Sequence, residues 1–206
     1  MNSKELFEIF FASNKKYSYS KSLLLFFIDS VRPLLCHKRL NILDMGAGHY
    51  SLFEDVINID AEITAVDFSK NAIKNAPQSS ILYREGNIID PTFFPDKYYD
   101  LIFDSHCLNC LTNKEERALA FKNIFNGLSI KGLFASEMMV QPIGKNINMD
   151  FKWIPLASEI ECELISHGFK IKKFIIDKSL TFSQQNREGE FECDLLKVVG
   201  EKINIH

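Results

Sequence analysis

A chain of 206 residues, 46% hydrophobic and 25% charged, is long enough for one sizeable core and short for two domains. Its formal net charge of −3 argues against a general electrostatic pull toward nucleic acid or an anionic membrane surface. Five cysteines, odd in number and scattered, argue against a disulfide framework and suit a reducing cytoplasm.

The N-terminal region reads as two amphipathic helices. Phe7, Phe10 and Phe11 share a face of the first; Leu24, Phe27, Ile28, Val31 and Leu35 share a face of the second. Between them runs the polar stretch 13–20, with Tyr17 and Tyr19. The apolar run Leu23 to Ile28 is bracketed by Lys21 and Asp29 and is too short to span a bilayer. No signal-peptide pattern opens the chain, so a cytoplasmic protein is expected.

Leu40-Asn41-Ile42-Leu43-Asp44 is a short apolar run ending in an acid, followed by Met45-Gly46-Ala47-Gly48. That pattern predicts a buried strand feeding a tight turn where a ligand meets bare backbone. Leu52, Phe53, Val56 and Ile57 then suggest a short helix on the sheet. Ile63 to Asp67 reads as a second strand, its terminal acid about twenty residues past the glycines, where a mononucleotide-binding fold places a carboxylate for ribose hydroxyls. Ser69 caps a helix that runs to Ala76 and is stopped by Pro77. Ser80 to Arg84 is the third strand, followed by Gly86-Asn87-Ile88.

Tyr98 to Leu108 is the other informative stretch: a buried strand delivers Asp104, Ser105 and His106 at its C-terminal end, where ligands bind in open α/β sheets. Thr112-Asn113-Lys114-Glu115 reads as a capping box for a helix burying Phe121, Ile124, Phe125 and Leu128. Lys131 to Met138 reads as a turn and a fifth strand. From Met139 to Trp153 no period is clear, and the apolar content (Met149, Phe151, Trp153) suits a substrate lid. Pro155 opens a last helix (Leu156, Ile160, Leu164) that stops at Gly168. Phe169 to Asp177 and Glu192 to Gly200 then suit a hairpin joined by the polar stretch 183–189; Lys170, Lys172 and Lys173 suit protection of a sheet edge.

Two features of the glycine turn argue against a dinucleotide. The third glycine of the pyrophosphate fingerprint is Ser51 here, and Asp44 would set negative charge beside a pyrophosphate. A ligand with an ammonium and a sulfonium turns that acid to advantage. Asp44-x-Gly46-x-Gly48, with Asp67 closing the second strand, resembles motifs one and two of the class I S-adenosylmethionine-dependent methyltransferases, and the stretch around Asp104 resembles their motif four. The likeness runs from Leu40 to Val140; it departs at Tyr50, where the family often has a glycine, and at Asn87, where it often has an acid.

The resemblance implies an α/β fold with a doubly wound, seven-stranded, mostly parallel Rossmann-like sheet and N-terminal capping helices. One domain is expected over 1–206: cap helices at 1–38, a cofactor-binding core at 39–140, and a lid loop, helix and hairpin at 141–206. The cofactor implied is S-adenosyl-L-methionine, held by Asp44, Gly46, Ala47, Gly48, Asp67, Phe68, Asn87, Ile88, Asp104, Ser105 and Tyr19. His106 is the candidate base or positioning residue for the acceptor, with Asp104 to orient it or to meet a cationic substrate; either residue also has an ordinary structural role open to it. Cys107 and Cys110 form a C-x-x-C with no second pair, so they read as small apolar wall residues and no metal is expected.

The activity implied is methyl transfer to a small molecule, since neither a basic face nor the N-P-P-Y type signature for a flipped base is present. Two alternatives stay open: use of the aminopropyl side of the same cofactor, releasing methylthioadenosine, and a non-catalytic binding module on the same fold. No nucleic-acid or membrane partner is expected, and monomer and homodimer are both open.

Overall fold

The computed structural model describes residues 3–13, 19–36, 39–92, 94, 98–150, 152–183 and 190–203. Tyr17, Phe151 and residues 184–189 of the hairpin connection lie outside the described residues. A seven-stranded sheet organises the chain: β1 (Leu40–Met45), β2 (Ala61–Asp67), β3 (Leu82–Glu85), β4 (Tyr99–Ser105), β5 (Leu128–Val140), β6 (Phe169–Ser183) and β7 (Glu190–Lys202), in the order β3-β2-β1-β4-β5-β7-β6. The strands from β3 to β5 pair in parallel, and β7 runs antiparallel between β5 and the edge strand β6. The doubly wound α/β sheet read from the sequence is therefore the fold. Chain order reverses between β1 and β4, which opens a crevice at their C-terminal ends.

Alternation along the central strands divides the core in two. Leu43, Met45 and Ile102 face one side, packed with Phe121 and Ile124 of α4 (Lys114–Gly127) and Ile160 and Leu164 of α5 (Ala157–Ser166). Ile42, Leu101 and Phe103 face the other, against Leu23, Phe26, Phe27 and Val31 from α2 (Lys21–Phe26) and the π-turn that follows it over Phe27–Val31. Truncating one of these fully buried phenylalanines to alanine costs about 3–5 kcal/mol.

Local readings fail where a neighbour decides. No helix forms after the glycine turn: only a short 3-10 turn, Leu52–Glu54, lies there, and Ile57 is exposed. The place of that helix on the sheet is filled instead by α2 and its π-turn, which pack on Leu52, Phe53 and Val56. The buried face of α2 is also rotated, with Leu23 and Phe26 inside and Ile28 exposed. Six consecutive apolar residues leave the face undecided by periodicity alone.

Asn113, not Thr112, caps α4, its side chain accepting from the N–H groups of Glu115 and Glu116. Leu128 leaves the helix to begin β5, and Lys131, at a positive φ of 64°, sits where the β4–β5 register shifts. Helix α3 (Lys70–Lys74) is shorter than read and is capped by Ser69 as expected. Glu159 accepts from the Leu156 N–H at the start of α5, one residue past Pro155, and Gly168 (φ +90°) follows its end.

Candidate functional site

The crevice between β1 and β4 is a cleft with three kinds of wall. The glycine turn supplies Gly46 and Gly48, both at positive φ (64° and 62°). The end of β4 supplies Ser105, His106, Cys107 and Cys110. Phe7, Phe10 and Phe11 of α1 (Ser3–Ala12) close the third side, with Phe68 beneath. A Cβ on Gly46 would stand 2.6 Å from the Cβ of Cys107, and one on Gly48 would stand 3.1 Å from the Phe11 ring. The glycines thus admit a left-handed turn and the close approach of both neighbours.

Helix α1 is fastened over the turn by charge as well as by rings. Glu8 accepts from the N–H groups of Lys70 (2.8 Å) and Asn71 (3.2 Å) and from the Ser69 hydroxyl (3.0 Å), at the start of α3. Burial opposes its charge, but those N–H donors outweigh it and hold the carboxyl below its ordinary range. Phe7 meets Phe68 edge-on at 5.9 Å.

Three buried aspartates surround the turn. Asp44 accepts from the Ser51 hydroxyl at 2.6 Å; burial, with Asp104 and Asp67 nearby, pushes its carboxyl up to about 7. Asp67 lines the cleft and accepts from the N–H of Gly48 (3.0 Å) and of Ser69 (2.9 Å); burial pushes it up to about 6, and Glu8 adds to the shift. Asp104 is fully buried and also raised by burial to about 6. None of the three has a Lys, Arg or His within ion-pair distance among the described residues. Each carboxylate oxygen has room for more than one donor, so the contacts Asp67 makes to its own backbone leave capacity for a ligand hydroxyl.

Asp104 does not orient His106. It follows Ile102 in the strand alternation and spends its oxygens on the Ser136 hydroxyl (2.6 Å) and the N–H groups of Cys107 and Leu108 (3.0 and 3.2 Å). The residue that meets the imidazole is Glu137, near the end of β5, with its Oε1 3.4 Å from His106 Nε2. His106 stands at a positive φ of 61°, uncommon for a non-glycine residue and typical of a backbone held by its surroundings for a site. The other ring nitrogen, Nδ1, is buried and has no hydrogen-bond partner among the described residues.

Glu137 is itself compensated. Lys197 sits opposite it on β7, with Nζ 3.7 Å from Glu137 Oε2, and donates to Asp177 and, at 2.5 Å, to the Ser22 hydroxyl. A charge of each sign inside otherwise apolar runs, Ser136 to Val140 and Leu195 to Val199, was the sequence signal for this pair.

The remaining predicted residues lie apart from the cleft lining. Ala47 donates its N–H to Val66. Asn87 is exposed and accepts from the Ile89 N–H, and the Ile88 carbonyl is held by Asn123. Tyr19 donates to Asp55 and stacks near Tyr50. Cys107 and Cys110 are walls; burial pushes Cys110 up to about 11 and Cys107 well above its ordinary range, so both stay thiols. Among the described residues no group of three or more His, Cys, Asp or Glu is placed to hold a metal.

The stretch read as a lid packs on the hairpin and also reaches the cleft. Ile147, Met149 and Ile154 join Met139, Cys193 and Leu195 in a small core. Buried Asn109 clamps both ends: its amide donates to the carbonyls of Met139 (3.0 Å) and Trp153 (2.7 Å) and accepts from the Met139 N–H (2.9 Å). From this segment Lys152 lines the cleft. No helix among the described residues is long and apolar enough to cross a membrane.

Residues 43–136 match the family described as a methyltransferase domain. No curated protein matches this sequence at a significant level. Among solved structures the chain is similar to the N-methyltransferase NodS from Bradyrhizobium japonicum WM9, in complex with S-adenosyl-L-homocysteine, at 16% identity and a TM-score of 0.70, covering 99% of this chain and 100% of that one. It is similar to a S-adenosylmethionine-dependent methyltransferase from Clostridium acetobutylicum ATCC 824, at 14% identity and a TM-score of 0.67, covering 97% of each chain. It is also similar to the [4+2]-cyclase SpnF, at 12% identity and a TM-score of 0.72, covering 98% of this chain and 97% of that one. At these identities the likeness shows the fold.

Proposed function

From a chain that carries a methyltransferase domain at residues 43–136, on the fold of the class I S-adenosylmethionine-dependent methyltransferases, we propose an enzyme that binds S-adenosylmethionine and methylates a small molecule. The observation that carries this reading is the set of three buried carboxylates, Asp44, Asp67 and Asp104, gathered around a glycine turn with no Lys, Arg or His in ion-pair contact with any of them among the described residues. A ligand bearing an ammonium and a sulfonium balances them, whereas a pyrophosphate would add to the repulsion.

In this reading Asp67 takes the ribose hydroxyls, and Gly46, Ala47 and Gly48 present backbone to the methionyl end. Phe68, Asn87 and Ile88 flank the adenine, and Asp44 and Asp104 supply negative charge from below. The cofactor contributes an electrophilic methyl carbon on sulfur. Ser105 and His106 face the acceptor. Held by Glu137 at Nε2, His106 is the group that positions the acceptor or takes its proton as its nucleophilic atom attacks; the apolar walls exclude water.

Calorimetric titration with S-adenosylmethionine and S-adenosylhomocysteine tests the binding half of the reading. No binding at millimolar ligand would sink it. Mass analysis of the spent cofactor tests the chemistry: S-adenosylhomocysteine supports methyl transfer, and methylthioadenosine would replace it with aminopropyl chemistry.

A further inference from the structure

We propose that Lys152 anchors an anionic group of the acceptor, so that the small molecule this cleft takes is an acid with an apolar body. The inference rests on the methyltransferase reading of the same cleft and adds the class of its substrate.

Lys152 is the lysine among the residues that line the cleft, and the described residues place no carboxylate within ion-pair distance of it. Its Nζ lies 3.9 Å from the Met139 sulfur, a soft and weak acceptor. Elsewhere Lys197 is paired with Glu137 and Asp177 and Lys172 with Glu201 at 3.3 Å, while Lys202 donates to the Leu128 carbonyl at 2.8 Å and lies over the Phe125 ring. Lys152 has neither a carboxylate nor a carbonyl oxygen among the described residues. In a chain with 27 acidic residues against 24 basic ones, a cation left unmatched against aromatic and thiol walls is not explained by a shortage of partners.

The backbone that carries Lys152 is also fixed. Its neighbour Trp153 donates its N–H to the Asn109 carbonyl at 2.7 Å and gives its own carbonyl to the Asn109 amide, while Lys152 itself bridges to Met149. Lys152 therefore lines the cleft it shares with His106 from a held strand of chain.

Charge divides the cleft accordingly. Asp67 lines the cleft at the glycine turn, where the cationic donor belongs, and Lys152 lines the wall it shares with His106 and Cys110, where Glu137 is already matched by Lys197. An anionic acceptor is drawn to the lysine and kept from the aspartates. Phe7, Phe10 and Phe11 suit an apolar or aromatic body between the two ends.

The test uses the full chain as wild type, Lys152→Met and Lys152→Arg. Calorimetry follows S-adenosylhomocysteine first, and then benzoate, phenylacetate and hexanoate against their uncharged amides, with and without the nucleoside bound. A charge-assisted contact predicts carboxylates bound about tenfold or more tighter than the matching amides, a preference kept in Lys152→Arg and lost in Lys152→Met. S-adenosylhomocysteine should bind all three proteins alike.

Equal binding of acids and amides, no binding of any acid, or a preference that survives Lys152→Met would overturn the proposal. So would a parallel loss of S-adenosylhomocysteine affinity in Lys152→Met, which would assign the lysine to the donor's own carboxylate. Wild type that fails to bind the nucleoside but keeps a Lys152-dependent preference for acids would sink the methyltransferase reading and leave the anion site standing.

Discussion

His106 and Glu137 are joined twice: the side chains meet at 3.4 Å between Nε2 and Oε1, and the His106 N–H donates to the Glu137 carbonyl at 3.0 Å. Strand pairing brings the β4 end against β5 and so fixes which edge of the imidazole faces the carboxylate.

His106→Ala should lower kcat by about 10²–10⁴-fold, the range for losing an acid–base group, with S-adenosylmethionine affinity changed far less. Glu137→Gln keeps the shape and removes the charge that orients the imidazole. It should lower kcat while the KM for S-adenosylmethionine stays put. Equal losses in kcat and cofactor affinity for both variants would reduce the pair to a structural support.

In the proposed reading Asp67→Ala removes a ligand contact together with a backbone support. The Gly48 N–H is left buried without its acceptor, which should cost about 1–3 kcal/mol of folding stability. Loss of the carboxylate to ribose contact should weaken S-adenosylhomocysteine binding by about 1.5–3 kcal/mol. Thermal melting and calorimetry separate the two effects; a variant with reduced melting temperature and unchanged affinity would remove Asp67 from the ligand.

Asp44 makes both stability and binding depend on pH. Its carboxyl, pushed up to about 7 in the folded protein, holds a proton that the unfolded chain releases at its ordinary value of 3.8. The stability it contributes is complete below that ordinary value and is lost as pH rises through about 7. The ligand-free protein should therefore melt lower at about pH 8 than at about pH 5, and Asp44→Asn should flatten that fall.

A cationic ligand favours the ionised form of Asp44, so its binding should release a proton below about pH 7 and weaken about tenfold per further pH unit. Calorimetric enthalpies measured in buffers of different ionisation heat detect that proton. Binding of S-adenosylmethionine with no proton release at about pH 6 would contradict a charge partnership with Asp44.

Asn109→Ala should loosen the segment that carries Lys152. Three backbone groups, the Met139 N–H, the Met139 carbonyl and the Trp153 carbonyl, lose a partner, and each buried group left unmade costs about 1–3 kcal/mol. A lower melting temperature should come with a raised KM for the acceptor, while cofactor affinity stays near wild type. Acceptor kinetics unchanged in a destabilised variant would show that the clamp serves stability alone.

The sequence by itself determined the elements whose signals are local. A strand ending in Asp44 before paired glycines, a second ending in Asp67, and a third delivering Ser105 and His106 are each legible within a dozen residues, because alternation, turn chemistry and caps act between near neighbours. These are the features that carry the fold class and the glycine-turn wall of the cleft. The helix expected after the glycine turn could not be refused locally, since what replaces it, Leu23 to Val31, comes from earlier in the chain.

Only the tertiary structure decided the wall that His106 and Lys152 share. Glu137 reaches His106 across a strand pair, and Lys152 enters the cleft because Asn109 pins a segment that has no period of its own. Helix α1 covers Gly48 because Glu8 finds the N–H groups at the start of α3. Such partners are tens of residues apart. Sequence pattern reports which faces want burial, and not which distant charge will be waiting there.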